Sequence, residues 1–139
     1  MWARCVFVVI LAAATAVCAA GASLPQQFWS DFRQAALASD YGKLIVFAAF
    51  LLELRSEVDG TAPRSVEKEE FESTLKHVFD QPMGELRDGQ LETYTMRDLI
   101  AKTPDLDGES VSAESFQVGQ LLFAKRKGGW RLVAAYLNE

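Results

Sequence analysis

Cysteine is scarce, and its scarcity divides the chain. Of 139 residues only Cys5 and Cys18 are cysteines, and both lie in a stretch built like an export leader. Arg4 gives a short basic start, Cys5 to Val17 carry no charge, and Cys18-Ala19-Ala20-Gly21-Ala22 is a run of small residues. Those are the three parts of a secretory signal. The apolar core of about a dozen residues is short for a membrane span, which needs roughly 20. Ala20-Gly21-Ala22 fits the cleavage rule best and starts the mature chain at Ser23, with a cut after Ala19 as the alternative. A lipidated cysteine normally follows Gly, Ala or Ser, and Cys18 follows Val17, which argues against a lipoprotein. The expectation is a signal peptide over residues 1–22 and one domain over 23–139, periplasmic or secreted, with no membrane attachment once the leader is gone.

Removing 22 of 139 residues leaves 117, enough for one core. That domain has no cysteine, so no disulfide holds it and its interior must do so. Losing Arg4 takes the formal charge from −5 to −6. An acidic surface repels phosphate backbones and anionic lipid, so neither nucleic acid nor a membrane is an expected partner. The sole asparagine, Asn138, precedes Glu139, so no N-glycosylation acceptor exists. There is one histidine, His77, and no G-x-S-x-G elbow, which leaves no evident nucleophile machinery.

What is present reads as helices first and strands last. Leu24, Phe28, Trp29, Phe32, Ala35 and Ala36 recur at helical spacing, predicting an amphipathic helix over 24–38 with Ser23 as its cap. Ser39-Asp40 signals a second cap and a short helix through Leu44 to Phe47. From Leu51 the pattern alternates, with Leu52, Leu54 and Val58 on one side and Glu53, Arg55 and Glu57 on the other, as in a half-buried strand. A turn follows at Asp59 to Pro63, and a third helix is expected from Ser65, with Phe71, Leu75, Val78 and Phe79 buried and His77 opposite them in solvent. Gln81 to Gly89 has no periodicity. Thr95 and Asp98 form a capping box for a helix over 96–102. Phe116 to Lys125 and Trp130 to Leu137 read as two strands joined through Lys127-Gly128-Gly129, a hairpin. The order predicts an α+β domain, helices packed on an antiparallel sheet.

Three stretches carry a resemblance: Phe28-Trp29-Ser30-Asp31-Phe32-Arg33; Leu52-Glu53-Leu54-Arg55 with the turn after it; and Phe123 through Gly128-Gly129-Trp130-Arg131-Leu132. Together they resemble small exported bacterial proteins of the nuclear transport factor 2-like superfamily, the cystatin-like cone fold. The resemblance implies a curved antiparallel sheet wrapped on a long N-terminal helix, a conical pocket, and a homodimer formed through the outer sheet face. Leu51 stands where such proteins often have proline. The acids, tyrosines or Asp–His pair of the family's enzymes have no residue-by-residue match here, so the resemblance implies no reaction.

Candidate functional residues are therefore ligand-binding ones: Glu53, Arg55 and Glu57 on one strand face, with Tyr94 and Tyr136. An arginine in a pocket selects carboxylate or phosphate; the blander reading is a solvated strand face with Arg55 paired to a neighbouring acid. Asp105, Asp107, Gly108 and Glu114 fall at positions three, five, six and twelve of a calcium loop, but Thr103 opens it and Pro104 follows, so it reads as a plain acidic loop. No catalytic residue, metal ligand or cofactor is expected. The expected function is non-catalytic binding, of a small apolar ligand in the cone or of a protein partner as inhibitor or immunity protein. The rival is a cone-fold lyase, isomerase or hydrolase, with Glu53 or Glu57 as its acid and Tyr94 or Tyr136 beside it.

Overall fold

A proline in the first turn of a helix loses no hydrogen bond, and Pro25 opens helix α1 (Pro25–Leu37) behind Leu24. The computed structural model describes residues 24–138; the leader, its cleavage site and Ser23 lie outside the described residues. The apolar stripe of α1 buries Phe28, Trp29, Phe32, Ala35 and Ala36 as its spacing demands. Asp40 caps helix α2 (Tyr41–Leu44) by accepting from the Lys43 N–H, and a 3-10 turn at Ile45–Phe47 leads into strand β1 (Ala48–Ser56). The Phe50–Leu51 peptide is cis.

Strand β2 (Arg64–Val66) pairs antiparallel with β1. It occupies the place where a helix was expected to start at Ser65. Val66 is fully buried against Leu52, and that pairing overrides the expected helix start. A 3-10 turn at Lys68–Glu70 comes next, and helix α3 (Phe71–Asp80) begins only at Phe71. Its stripe of Phe71, Leu75, Val78 and Phe79 is buried, and His77 is exposed, as its spacing requires. Strands β3 (Pro82–Arg87) and β4 (Gln90–Thr95) form a hairpin of their own, β3 and the turn lying in the stretch from Gln81 to Gly89 that shows no periodicity. Helix α4 (Met96–Lys102) carries the capping box of Thr95 and Asp98.

The single strand expected from Phe116 to Lys125 is two: β5 (Ser115–Val118) and β6 (Leu121–Arg126). Gly119 turns the chain between them at φ +52°, and a Cβ there would meet Leu99 Cδ2 at 2.5 Å and Met96 Sδ at 2.6 Å. Only glycine satisfies both the left-handed backbone and the approach of α4. Strand β7 (Gly129–Leu137) closes the hairpin with β6.

The five-stranded sheet runs β2-β1-β7-β6-β5. It was expected to be antiparallel and is mixed, because β1 and β7 run parallel, with Arg55 opposite Tyr136. A parallel pair needs a crossover of a dozen residues or more, and everything between β1 and β7, including α3 and α4, supplies it. Val58 was expected among the buried residues of β1; the strand ends at Ser56 and Val58 is half exposed.

Aromatic rings join α1 to the sheet. Phe32 meets Phe123 edge-on at 4.9 Å, and Phe123 stacks on Phe116 at 4.7 Å. Polar contacts tie α1 to α4: Arg33 donates to the Ile100 and Ala101 carbonyls, and the Trp29 indole N–H to Thr103, capping the end of α4. Arg97 returns the tie, donating to the Ala36 carbonyl near the end of α1, to Ser39 and Tyr41, and to Asp80 on α3. These two arginines add donors at the carbonyl ends of α1 and α4, where the Ala36 and Ile100 carbonyls also accept the Ser39 and Thr103 N–H.

Candidate functional site

Alternation along β1 sends Leu52 and Leu54 into the core and Glu53 and Arg55 to the opposite face. The parallel register then delivers Tyr136 beside Arg55 from 81 residues away. Arg55 grips Glu53 with two N–H groups, Nε to Oε1 at 2.8 Å and Nη2 to Oε2 at 3.2 Å, and donates from Nη1 to the Tyr136 hydroxyl at 2.9 Å. Its guanidinium carbon also lies 5.7 Å from the centre of the Tyr136 ring. Both charged side chains remain over a third exposed.

The electrostatics follow from the fork. Arg55's hydrogen bonds hold the Glu53 carboxyl below its ordinary range, because they favour the charged form. Glu53 in turn, with the Tyr136 hydroxyl, raises the guanidinium further above its already high value. A carboxylate used as general acid or base near neutrality needs the opposite shift. Three of the five Arg55 N–H groups are already spent inside the cluster, which leaves little of the guanidinium for a carboxylate or phosphate ligand.

Glu57 lies just past β1 and joins a second, polar cluster. Its backbone N–H donates to the Leu137 carbonyl and its carboxylate accepts from the Gln120 amide at 2.8 Å. Gln120 also donates to the Asn138 side chain, and its carbonyl accepts from the Tyr136 N–H. Gln81, buried at 6 % exposure, completes the clasp. It donates to the Tyr136 carbonyl and accepts from the Asn138 N–H, both at 2.9 Å, substituting for a strand neighbour at the end of β7. Gln81 and Gln120 escaped the sequence reading, since nothing local marks a glutamine whose partners lie near the far terminus.

Tyr94 is the member the structure leaves apart. It stands on β4, opposite Met83, beside a groove lined also by Leu99, Lys102, Glu85 and Arg87. The structure thus joins Glu53, Arg55 and Tyr136, puts Glu57 with Gln120, and keeps Tyr94 on the separate hairpin.

Three open grooves run on from Arg55. The first, about 270 Å³, lies between Arg55, Arg64, Thr61 and Leu137; the second shares Leu54, Arg64 and Leu137 with it and reaches His77; the third, about 530 Å³, shares Ser73 and His77 and reaches Gln81 and Asn138. All are surface furrows. The space between α1 and the sheet is filled by Trp29, Phe32, Phe116 and Phe123, each at most 1 % exposed. No buried side-chain nitrogen or oxygen among the described residues lacks a hydrogen-bond partner. Among them no three His, Cys, Asp or Glu side chains gather as a metal site. No helix among them is long and apolar enough to cross a membrane.

No family model matches the chain, and no curated protein or solved structure matches it.

Proposed function

We propose that this chain is an exported binding domain of the nuclear transport factor 2-like kind, cut after Ala22, which acts on a protein partner through its surface and not by catalysis. The observation that carries the reading is the filled interior. Trp29, Phe32, Phe116 and Phe123 occupy the volume between α1 and the sheet, where an apolar small ligand would need a cavity of roughly 300 Å³ or more. The described grooves are on the outside, and the formal charge of −5 for the chain suits a basic partner surface, such as that of an exported enzyme or toxin.

The finer fold belongs to the same reading: a bent sheet wrapped on α1. In its support, the strand ladder shifts register between Ala48 and Glu53 and again between Leu122 and Phe123, and such irregularities bend strands. The enzymatic alternative draws no comparable support, since Arg55 holds Glu53 ionised and Tyr94 stands on another sheet.

Native mass spectrometry of the protein recovered from its own host's medium or periplasm tests the reading. The expected spectrum has an intact mass lacking residues 1–22 and a fraction in complex with a second protein. A bound mass of a few hundred daltons would overturn the surface reading in favour of a small ligand. A full-length mass with the leader attached would overturn export.

A further inference from the structure

The hairpin β3–β4 has no strand neighbour in the main sheet, and it carries the most exposed apolar cross-strand pair among the described residues. Leu86 and Leu91 face each other across it at 73 % and 70 % exposure. Asp88 and Gly89 make the two-residue turn, both at positive φ. The residues flanking such a turn, Arg87 and Gln90, form the hydrogen-bonded pair, and antiparallel ladders alternate. The N–H and C=O of Leu86 therefore point away from β4, along an open edge. An open edge beside exposed leucines is a template for another strand.

We propose that β3 pairs antiparallel with β3 of a second copy of this chain, on a two-fold axis through Leu86. Charge selects both the occupant and the register. In this register Glu85 of each copy stands opposite Arg87 of the other, giving two symmetric ion pairs, while Leu86 exchanges both backbone hydrogen bonds with its mate. A slip of two residues, which moves the axis to Glu85, sets like charges face to face. Pairing β4 with β4 gives no opposite charges in any register, because Gln90, Leu91, Glu92, Thr93 and Tyr94 carry only acid. The four-stranded sheet that results has Leu91, Leu86 and their two mates in one row on one face. Arg87, which already reaches Glu85 at 3.4 Å and Glu92 at 3.6 Å within its own copy, bridges the other face. Exposed pairs of this kind set register and orientation more than affinity; the leucine row supplies the attraction.

Sedimentation velocity on the purified chain over roughly micromolar to millimolar concentration, read with hydrogen exchange at the Leu86 amide, tests the pairing. A monomer–dimer equilibrium is expected, with Leu86 exchange slowing as dimer accumulates. Leu86→Lys and Glu85→Arg each weaken association at least tenfold, and Glu85→Arg with Arg87→Glu together recover it, because the swap keeps opposite charges opposed. Melting curves of the variants check that each stays folded; should one not, the remaining two decide. A chain that stays monomeric throughout overturns the proposal. So does a dimer that Leu86→Lys and Glu85→Arg leave unchanged, since it would use another face.

Discussion

Two of the tight hairpins among the described residues, β6–β7 and β3–β4, share the tightness of the turn and differ in what covers them. The β6–β7 turn relies on Gly128 and Gly129 at φ +97° and +122°, the β3–β4 turn on Asp88 and Gly89 at +51° and +75°. Beyond the turn, the first hairpin lays Phe123, Trp130 and Leu132 under α1 or its neighbours at 3 % exposure or less. The second presents Leu86 and Leu91 to solvent. Turn chemistry decides that the chain reverses; what covers the face decides what the reversal is worth. An isolated two-stranded hairpin is marginal in water, whereas one built into a covered sheet is not.

That contrast is broken most directly by truncating one residue on each side. Phe123→Ala removes the ring that meets Phe28, Trp29, Phe32 and Phe116 and is expected to cost about 3–5 kcal/mol. Leu86→Ala changes the stability of the monomer by less than about 0.5 kcal/mol. Urea unfolding at low protein concentration measures both, and equal losses would refute the contrast. Next in size, Gln81→Ala leaves the Tyr136 carbonyl and Asn138 N–H without their buried partner and costs about 1–3 kcal/mol. Hydrogen exchange at the Asn138 amide should quicken well before the core does. The junction between the exposed hairpin and the packed helices is sharpened by Thr95→Ala, which removes the side chain capping α4; the expected loss is about 1 kcal/mol, read from thermal melts.

The smallest effect is one of pH. Arg55 holds the folded Glu53 carboxyl below its ordinary value of 4.5. The pair's contribution is therefore fully present above that value and is lost as pH falls through the lower folded one. With both side chains over a third exposed, solvent screening keeps the contribution under about 1 kcal/mol. Glu53→Gln should lose less stability than the parent between about pH 6 and about pH 3; equal losses would mean the pair adds nothing.

Much of the architecture was legible because its causes are local. Thr95 and Asp98 cap α4 three residues apart, and the α3 stripe repeats within one helix. The β1 alternation already separated Leu52 and Leu54 from Glu53 and Arg55, and the pairing of Arg55 with a neighbouring acid was foreseen as the bland outcome. The β3–β4 turn is local too: Asp88-Gly89 between Leu86-Arg87 and Gln90-Leu91 is a strong hairpin signal. Its strands escaped because exposure on both faces leaves no alternation to detect.

By itself the sequence determined the α+β class, the caps, the amphipathic stripes and the need for a core without disulfides, since each depends on residues within a turn or two of one another. Only the tertiary structure decided the rest. Tyr136 reaches Arg55 through a parallel strand pair that no local pattern encodes. Ser65 lies in a strand because Val66 has β1 to bury itself against. Gly119 breaks one apolar run in two because α4 passes over it. In each case a partner distant in the chain supplies the burial or the hydrogen bond, and its energy outweighs the local preference.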